Sequence, residues 1–166
     1  MQEELRILGV DPGLAYTGWG IIAVQGSKLK PLAYGSIATE ATQELPLRLA
    51  SIYDELAAVI IKYSPAELSI ETIYHKGNPK SSISTAQARG VALVAAARRM
   101  LMVSEYAPSA IKQAVVGNGS ATKQQVQFMV RNLLEFDHTP EPNHAADALA
   151  AAICHAHHRR YNSFTT

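Results

Sequence analysis

Hydrophobic residues in the first part of the chain come in short runs rather than at helical spacing. The run at residues 5–10 contains Arg6 as its only charge, which is typical of a strand buried on both faces. A second stretch extends from about Tyr16 to Val24, and a third covers residues 29–37 after a turn. Three strands joined by short turns predict an antiparallel meander.

The rest of the chain alternates between helical and extended patterns. Residues 46–63 repeat an apolar side chain every three or four positions, and short apolar stretches at 68–71 and 102–106 predict two more strands. A second helix is predicted after a polar loop at 74–82 and ends at about Met100, and a third extends from Pro108 to Gly117. A fourth begins with a capping box formed by Thr122 and Gln125, and the last extends from His144 to about Arg159 with Asn143 as its cap. The predicted fold class is α/β: a mixed five-stranded sheet, an antiparallel meander plus parallel strands, with helices on both faces.

The length and composition fit one globular domain. The chain has 166 residues without a repeat or a linker, so residues 5–160 are predicted as a single domain and 161–166 as a tail. A charged fraction of 17% excludes a disordered class. The only cysteine, Cys154, excludes an internal disulfide and favours a reducing cytoplasm. No signal peptide and no apolar stretch of about 20 residues is found, so no membrane association is expected.

Charge is distributed unevenly along the chain although the net charge is only +1. Residues 1–71 carry a net charge of −4, residues 72–134 carry +7, and the remainder carries −2. A basic middle beside an acidic first part favours a polyanionic partner and a separate acidic site, although solvated helix faces would give the same pattern. Three histidines lie near the end of the last predicted helix: His155, His157 and His158. Cationic groups are mildly favoured at a helix end, so these histidines can be explained without assigning them a function.

Asp11 directly follows the first predicted strand and precedes Pro12 and Gly13. Rigid strand backbone, with Gly18 and Gly20 open to close approach on the next strand, can present such a carboxylate to a divalent cation beside a phosphate. Asp-Pro-Gly is also ordinary turn chemistry. The metal hypothesis therefore depends on partners elsewhere in the chain.

Three further side chains are suitable partners for Asp11. His144 and Asp147 lie three positions apart at a helix start and so share one face, and Glu71 ends the fourth predicted strand. A helix start also favours negative charge, which alone explains Asp147. If the two strands are neighbours, four metal-capable side chains converge, and hard oxygen ligands suit Mg²⁺ or Mn²⁺ acting on phosphates.

Five motifs, in family order, resemble the RuvC family of bacterial Holliday-junction resolvases, which has an RNase H-like fold. They are Ile-Leu-Gly-Val-Asp-Pro-Gly, Ser-Ile-Glu-Thr-Ile-Tyr, Ala-Gln-Ala-Arg-Gly-Val, Val-Val-Gly-Asn-Gly-Ser-Ala-Thr-Lys and Ala-Ala-Asp-Ala-Leu-Ala. The resemblance extends from Leu5 to about His158, which is nearly the whole chain. It implies an RNase H-like nuclease.

The resemblance also implies site residues. The family's catalytic acids correspond to Asp11, Glu71 and Asp147, while many members have a fourth acid where this chain has His144. We predict all four as ligands of two Mg²⁺ ions, for which Mn²⁺ can substitute, with Asp11 bridging both ions and His144 as a ligand, a general base or both.

The family's DNA contacts map onto the loop and helices of the basic middle. Tyr74 stands where the family has an aromatic that stacks on a base near the crossover, and Lys112 and Lys123 stand near the scissile phosphate. As isolated residues, all three also fit ordinary surface positions. The further predicted DNA contacts are Lys76, Lys80 and Arg89.

The implied activity is the symmetric nicking of two opposed strands of a four-way junction, with a preference for short T-rich sites. A two-fold junction calls for two sites related by a two-fold axis, so a homodimer is expected. The resemblance also implies cooperation with the RuvA–RuvB branch-migration complex. Two alternatives stay open: a small actin-like ATPase, and a junction-binding module that has lost catalysis.

Overall fold

The structure, a computed structural model, describes residues 4–73 and 78–163. In chain order the elements are β1 Leu5–Asp11, β2 Tyr16–Gln25, β3 Lys28–Ala38, α1 Leu45–Tyr63, β4 Glu67–Glu71, α2 Pro79–Ala97, β5 Met102–Tyr106, α3 Pro108–Val116, α4 Lys123–Leu133 and α5 Asn143–Ser163. The strands form one sheet in the order β3-β2-β1-β4-β5. β1 and β2, and β2 and β3, pair antiparallel, whereas β4 is parallel to both β1 and β5. The predicted fold class is confirmed.

Helices cover both faces of this sheet because its central strands are apolar on both sides. On β1, Ile7 packs into a cluster with residues of α3, α4 and α5, whereas its neighbour Leu8 packs into a second cluster with residues of α1 and α2. On β2, Ile22 and Ile21 divide in the same way. The sheet is therefore buried between two helical layers, and α5 lies over its centre.

The ends of several helices follow the predicted capping chemistry. Gly117 ends α3 with φ of 82°, and Thr122 forms the predicted capping box with Gln125 at the start of α4. Helix α2, however, begins at Pro79, within the segment predicted as a loop to residue 82. The side chain of Asn78 accepts a hydrogen bond from the backbone of Lys80, and proline is well suited to the first helical position.

Three other helix boundaries also differ from the prediction. Helix α2 ends at Ala97 rather than near Met100, which has φ of 57°. Helix α5 already includes Asn143, predicted as its cap, and continues to Ser163, past the predicted end near Arg159. No helix within the described residues is both long enough and apolar enough to cross a membrane.

Candidate active site

Two carboxylates lie side by side at one edge of the sheet because their strands are parallel neighbours. Asp11 is the last residue of β1 and Glu71 the last residue of β4, and the residues before them, Val10 and Ile70, are partners in the register. The sequence predicted both strand ends and left their adjacency conditional. The pairing of β1 with β4 provides it.

Helix α5 reaches these strand ends because glycines let it approach the sheet backbone. A Cβ atom on Gly18 of β2 would lie 1.9 Å from the carbonyl oxygen of His144, and one on Gly9 of β1 would lie 1.9 Å from that of Ala148. Any side chain at either position would push the helix away. The sequence predicted that the glycines beside Asp11 leave the strand backbone open to close approach. Helix α5 is what approaches there, and this brings His144 and Asp147 to the edge of the sheet.

Asp11, His144 and Asp147 form a compact group of potential metal ligands. One ligand atom from each lies within 4.8 Å of the others, and Nδ1 of His144 is 3.1 Å from Oδ2 of Asp11. The half-exposed ring of Tyr16 stacks on the imidazole, with 5.5 Å between ring centroids and 11° between planes. Sequence reasoning missed this role of Tyr16, because an aromatic residue at a strand start carries no signal of what it will contact.

Glu71 lines the same cavity as these three residues, with a volume of about 470 Å³. This cavity is lined by the four predicted ligands together with Pro108, Lys112, Lys123 and Val126. Burial raises the pKa of Glu71 to about 7, with further contributions from the negative charges of Asp11 and Asp147. Burial also raises the pKa of Asp11, and Asp147 adds to this effect.

Burial and the neighbouring carboxylates together disfavour the ionised forms of Asp11 and Glu71, which raises both pKa values. Carboxylates gathered in a partly buried place repel one another, and a divalent cation bound between them removes that repulsion. The donor set of carboxylate oxygens and one imidazole nitrogen is one that Mg²⁺ or Mn²⁺ accepts. The residues present therefore fit a divalent metal site.

Two of the predicted DNA-binding lysines also lie in the site. Nζ of Lys123, at the start of α4, is 2.8 Å from Oδ2 of Asp147. Lys112 on α3 lines the same cavity and lowers the pKa of Glu71, in opposition to the burial effect. Both lysines thus lie beside the carboxylates of the cavity.

The other predicted DNA contacts lie elsewhere or outside the described residues. Lys80 is exposed in the first turn of α2, next to residues that line a second cavity of about 450 Å³ beside Asp11 and Glu71. Arg89 forms an ion pair with Glu105 and does not line either cavity among the described residues. Tyr74 and Lys76 lie outside the described residues.

A mixed sheet of this strand order, with acids at the ends of its two central parallel strands and on the helix that crosses them, defines an RNase H-like nuclease. Residues 7–155 match the family described as "Crossover junction endodeoxyribonuclease RuvC". The chain belongs to this family and is a crossover junction endodeoxyribonuclease.

Individual relatives agree with this assignment. The chain is 48% identical over 160 residues to the crossover junction endodeoxyribonuclease RuvC of Syntrophomonas wolfei, covering 96% of this chain and 93% of that protein. It is 50% identical over 151 residues to the protein of the same name from Heliobacterium modesticaldum, covering 91% and 93%. Among solved structures it resembles Thermus thermophilus RuvC in complex with a Holliday junction substrate, with a TM-score of 0.91, 31% identity and coverage of 96% and 97%.

Proposed function

We propose that this protein resolves four-way DNA junctions by nicking two opposed strands of like polarity, with Mg²⁺ as its metal. The observation that supports this proposal most directly is the shared cavity, in which three carboxylates and one imidazole face two lysines. Acidic groups alone would repel a DNA phosphate. The combination of metal-capable acids with ammonium groups suits a phosphodiester whose oxygens need several positive partners.

Asp11, Glu71, His144 and Asp147 are the proposed ligands of two divalent ions. When bound, these ions supply Lewis acidity toward the phosphodiester and lower the pKa of a coordinated water. Asp11 is the proposed shared ligand, because it contacts His144 on one side and contributes to the raised pKa of Glu71 on the other. His144 is a ligand or accepts a proton from the attacking water, since its ring nitrogens suit either role.

The proposed DNA contacts differ in their structural support. Lys112 and Lys123 line the cavity and are placed to bind phosphate oxygens once metal ions occupy the carboxylates. Lys80 is an exposed contact for the flanking backbone. Arg89 is proposed with the least support, because its side chain is only 18% exposed and is paired with Glu105. Tyr74 and Lys76 are proposed from the family resemblance, Tyr74 as the base-stacking residue.

A homodimer is the proposed working form, because two symmetric cuts need two sites. Helix α2 supports this expectation: its alanines pack on the sheet, while Ile83 and Val94 on the same helix are 59% and 51% exposed. We treat residues 5–160 as one nuclease domain followed by a short tail. Cooperation with RuvA–RuvB, which the family resemblance implies, and a place of action in the cytoplasm, which the single Cys154 favours, are part of the same proposal.

The test is to incubate the pure protein with a synthetic four-way junction and Mg²⁺ or Mn²⁺. We expect paired nicks at symmetric positions. Asp11→Asn, Glu71→Gln and Asp147→Asn should each abolish nicking while junction binding persists. A wild-type protein that binds junctions and cuts none in either metal would contradict the proposal.

A further inference from the structure

A series of three residue pairs joins β4 to α5 along their length, two of them by direct contact and the third by a shared cavity. Glu67, Ser69 and Glu71 alternate along β4 and all face α5. A carboxylate oxygen of Glu67 contacts Nε2 of His155, the hydroxyl of Ser69 donates to the carbonyl oxygen of Ala151 at 2.6 Å, and Glu71 shares its cavity with Asp147. Their partners on α5 are therefore spaced by four residues, which is about one helical turn.

The spacing of the two elements makes this series possible. Two strand residues advance by about 6.6 Å, and four helical residues by about 6 Å, so each step along β4 meets the next turn of α5. A pair fixed at one end of the series therefore determines which residues face each other at the other end. That other end consists of Glu71 and Asp147, two of the proposed metal ligands.

The pair at the far end is buried and fully engaged. Glu67 is 3% exposed and His155 is 5% exposed. Besides His155, Glu67 binds Nε of Arg159 at 2.9 Å, and Nδ1 of His155 lies 2.7 Å from the hydroxyl of Tyr106. A buried charge is tolerated only when it is paired in this way. His155, which the sequence placed among helix-end histidines without a function, is therefore a partner in the core.

Stability alone is a weak reason to keep such a pair, because a well-packed apolar pair of similar volume is often as stable or more stable. The hydrogen bond between Glu67 and His155 requires a particular direction and position of both groups, and an apolar pair imposes no such requirement. Where α5 crosses Gly9 and Gly18, the backbone of the helix lies directly against the backbone of the strands, and side-chain packing resumes where Leu149 meets Gly20. The backbone contact fixes the distance between helix and sheet and leaves the position along the helix axis to other contacts.

We propose that Glu67 and His155 are positioning residues that fix the axial register of α5 against β4 and so hold Asp147 opposite Glu71. The inference rests on the proposed function, since it assigns these two acids to one metal site. It concerns residues about 12 Å along the helix from Asp147, well outside the site itself.

The decisive variant is the double substitution Glu67→Leu with His155→Leu, which retains buried apolar volume and removes the directional contacts. We expect a folded protein that binds junctions normally but needs roughly 10-fold more Mn²⁺ for half-maximal single-turnover cleavage, which is the lower end of the effect of losing a metal ligand's supporting partner. Mn²⁺ binding without DNA, followed by the electron paramagnetic resonance signal of free Mn²⁺, should weaken in parallel. Glu67→Gln, which keeps an acceptor for His155, should remain near wild type.

Two comparisons separate positioning from plain stability. Ile60→Val lowers stability in the helical layer on the opposite face of the sheet and should leave the Mn²⁺ dependence unchanged. If the double variant does not fold, His155→Leu alone removes the contact with Glu67, leaves Glu67 paired with Arg159, and should still raise the Mn²⁺ requirement.

If the folded double variant, or a folded His155→Leu in its place, shows wild-type Mn²⁺ dependence, the inference is overturned and the proposed function is not. A wild type that neither binds Mn²⁺ nor cuts junctions overturns the proposed function and the inference with it.

Discussion

The carbonyl oxygen of His144 lies 1.9 Å from the position that a Cβ atom would take on Gly18. This contact joins the backbone of β2 directly to the first turn of α5, which carries two of the proposed ligands. Neither partner is a flexible side chain that can move aside. The geometry of the site therefore depends on the absence of a side chain at residue 18.

Gly18→Ala should displace the start of α5 and reduce cleavage far more than it reduces stability. Overpacking of this kind costs about 1–3 kcal/mol of unfolding free energy, whereas a misplacement of about 1 Å in an active site can reduce the rate about 100-fold. The measurements are single-turnover cleavage of a four-way junction and the thermal unfolding midpoint.

Gly90→Ala is the matched control. Gly90 lies within α2, where nothing described comes within 4 Å of an added Cβ. Alanine there should raise stability by about 0.5–1 kcal/mol and leave cleavage unchanged. Because α2 is the proposed dimer helix, the size of both variants in solution should be checked. Cleavage by Gly18→Ala at the wild-type rate would show that α5 adapts without affecting the ligands.

The sequence predicted the ligands better than it predicted their surroundings. Asp11 and Glu71 could be predicted from the sequence because each ends an apolar run, and Asp147 could be predicted because it lies near a helix start. The parallel register of β1 with β4 could not be predicted from the sequence, since strand pairing depends on contacts between residues that are distant in the chain. The stacking of Tyr16 on His144 was hidden for the same reason.

The start of α2 and the burial of Glu67 and His155 also differ from what the sequence suggests. In these places the local sequence pattern favoured a different interpretation. Asn78 followed by Pro79 is a good helix start, yet the polar residues around it favoured a loop. Glu67 is a charged residue at a strand start and His155 is a histidine in the second half of a helix, and both patterns usually indicate exposure. Their burial became visible only when the two elements were seen to pack together.

Lys112→Ala and Lys123→Ala should weaken junction binding in a salt-dependent way and slow cleavage. Each lost phosphate contact should reduce the magnitude of the slope of log K against log salt by about 0.9 for duplex DNA. Stability should change little, because the ion pair of Lys123 with Asp147 is partly exposed, with 54% of the lysine side chain accessible.

The matched control is Lys28→Ala, an exposed lysine at the opposite end of the sheet, where β3 begins. It should leave both the salt slope and the cleavage rate unchanged. If all three variants behave alike, Lys112 and Lys123 are ordinary surface lysines rather than phosphate contacts.

Stability without metal should fall as the pH rises from about 4.5 to 7. The pKa of Glu71 is raised from an ordinary value of 4.5 to about 7, so the folded state keeps a proton that the unfolded chain has already released. Stability decreases with pH wherever the folded state binds more protons. A divalent ion binds the ionised form, so Mg²⁺ should raise the unfolding midpoint more at pH 8 than at pH 5.

The comparison with Glu71→Gln isolates this effect from other titrating groups. With EDTA present, the variant should lose less stability between pH 5 and pH 8 than wild type does, and it should gain less from Mg²⁺ at pH 8. Unfolding midpoints across this range, with and without Mg²⁺, provide the measurement. Parallel curves for the two proteins would mean that Glu71 is ionised throughout and that its burial is unimportant.

His144 gives the sharpest prediction, because this chain has an imidazole where many family members have an acid. A nitrogen ligand in place of a carboxylate should favour Mn²⁺ over Mg²⁺. Imidazole binds metal only through an unprotonated nitrogen, so cleavage should fall on mild acidification. Asp11 and Tyr16 hold the ring in place, the first at 3.1 Å from Nδ1 and the second by stacking.

Three proteins and two metals test this prediction in one experiment. His144→Asp should stay active, work better with Mg²⁺ than wild type does, and lose less activity on mild acidification, because it restores the four-acid site. His144→Ala should be severely impaired in both metals, since it removes a ligand and leaves the Asp11 carboxylate without its hydrogen-bond partner. The measurement is a pH–rate profile of each protein on one junction with chemistry rate-limiting. Wild-type cleavage by the alanine variant in both metals would show that His144 is a histidine that begins a helix and nothing more, whereas an acid limb by itself does not decide, because the pKa of Glu71 is raised to about 7 in the same site.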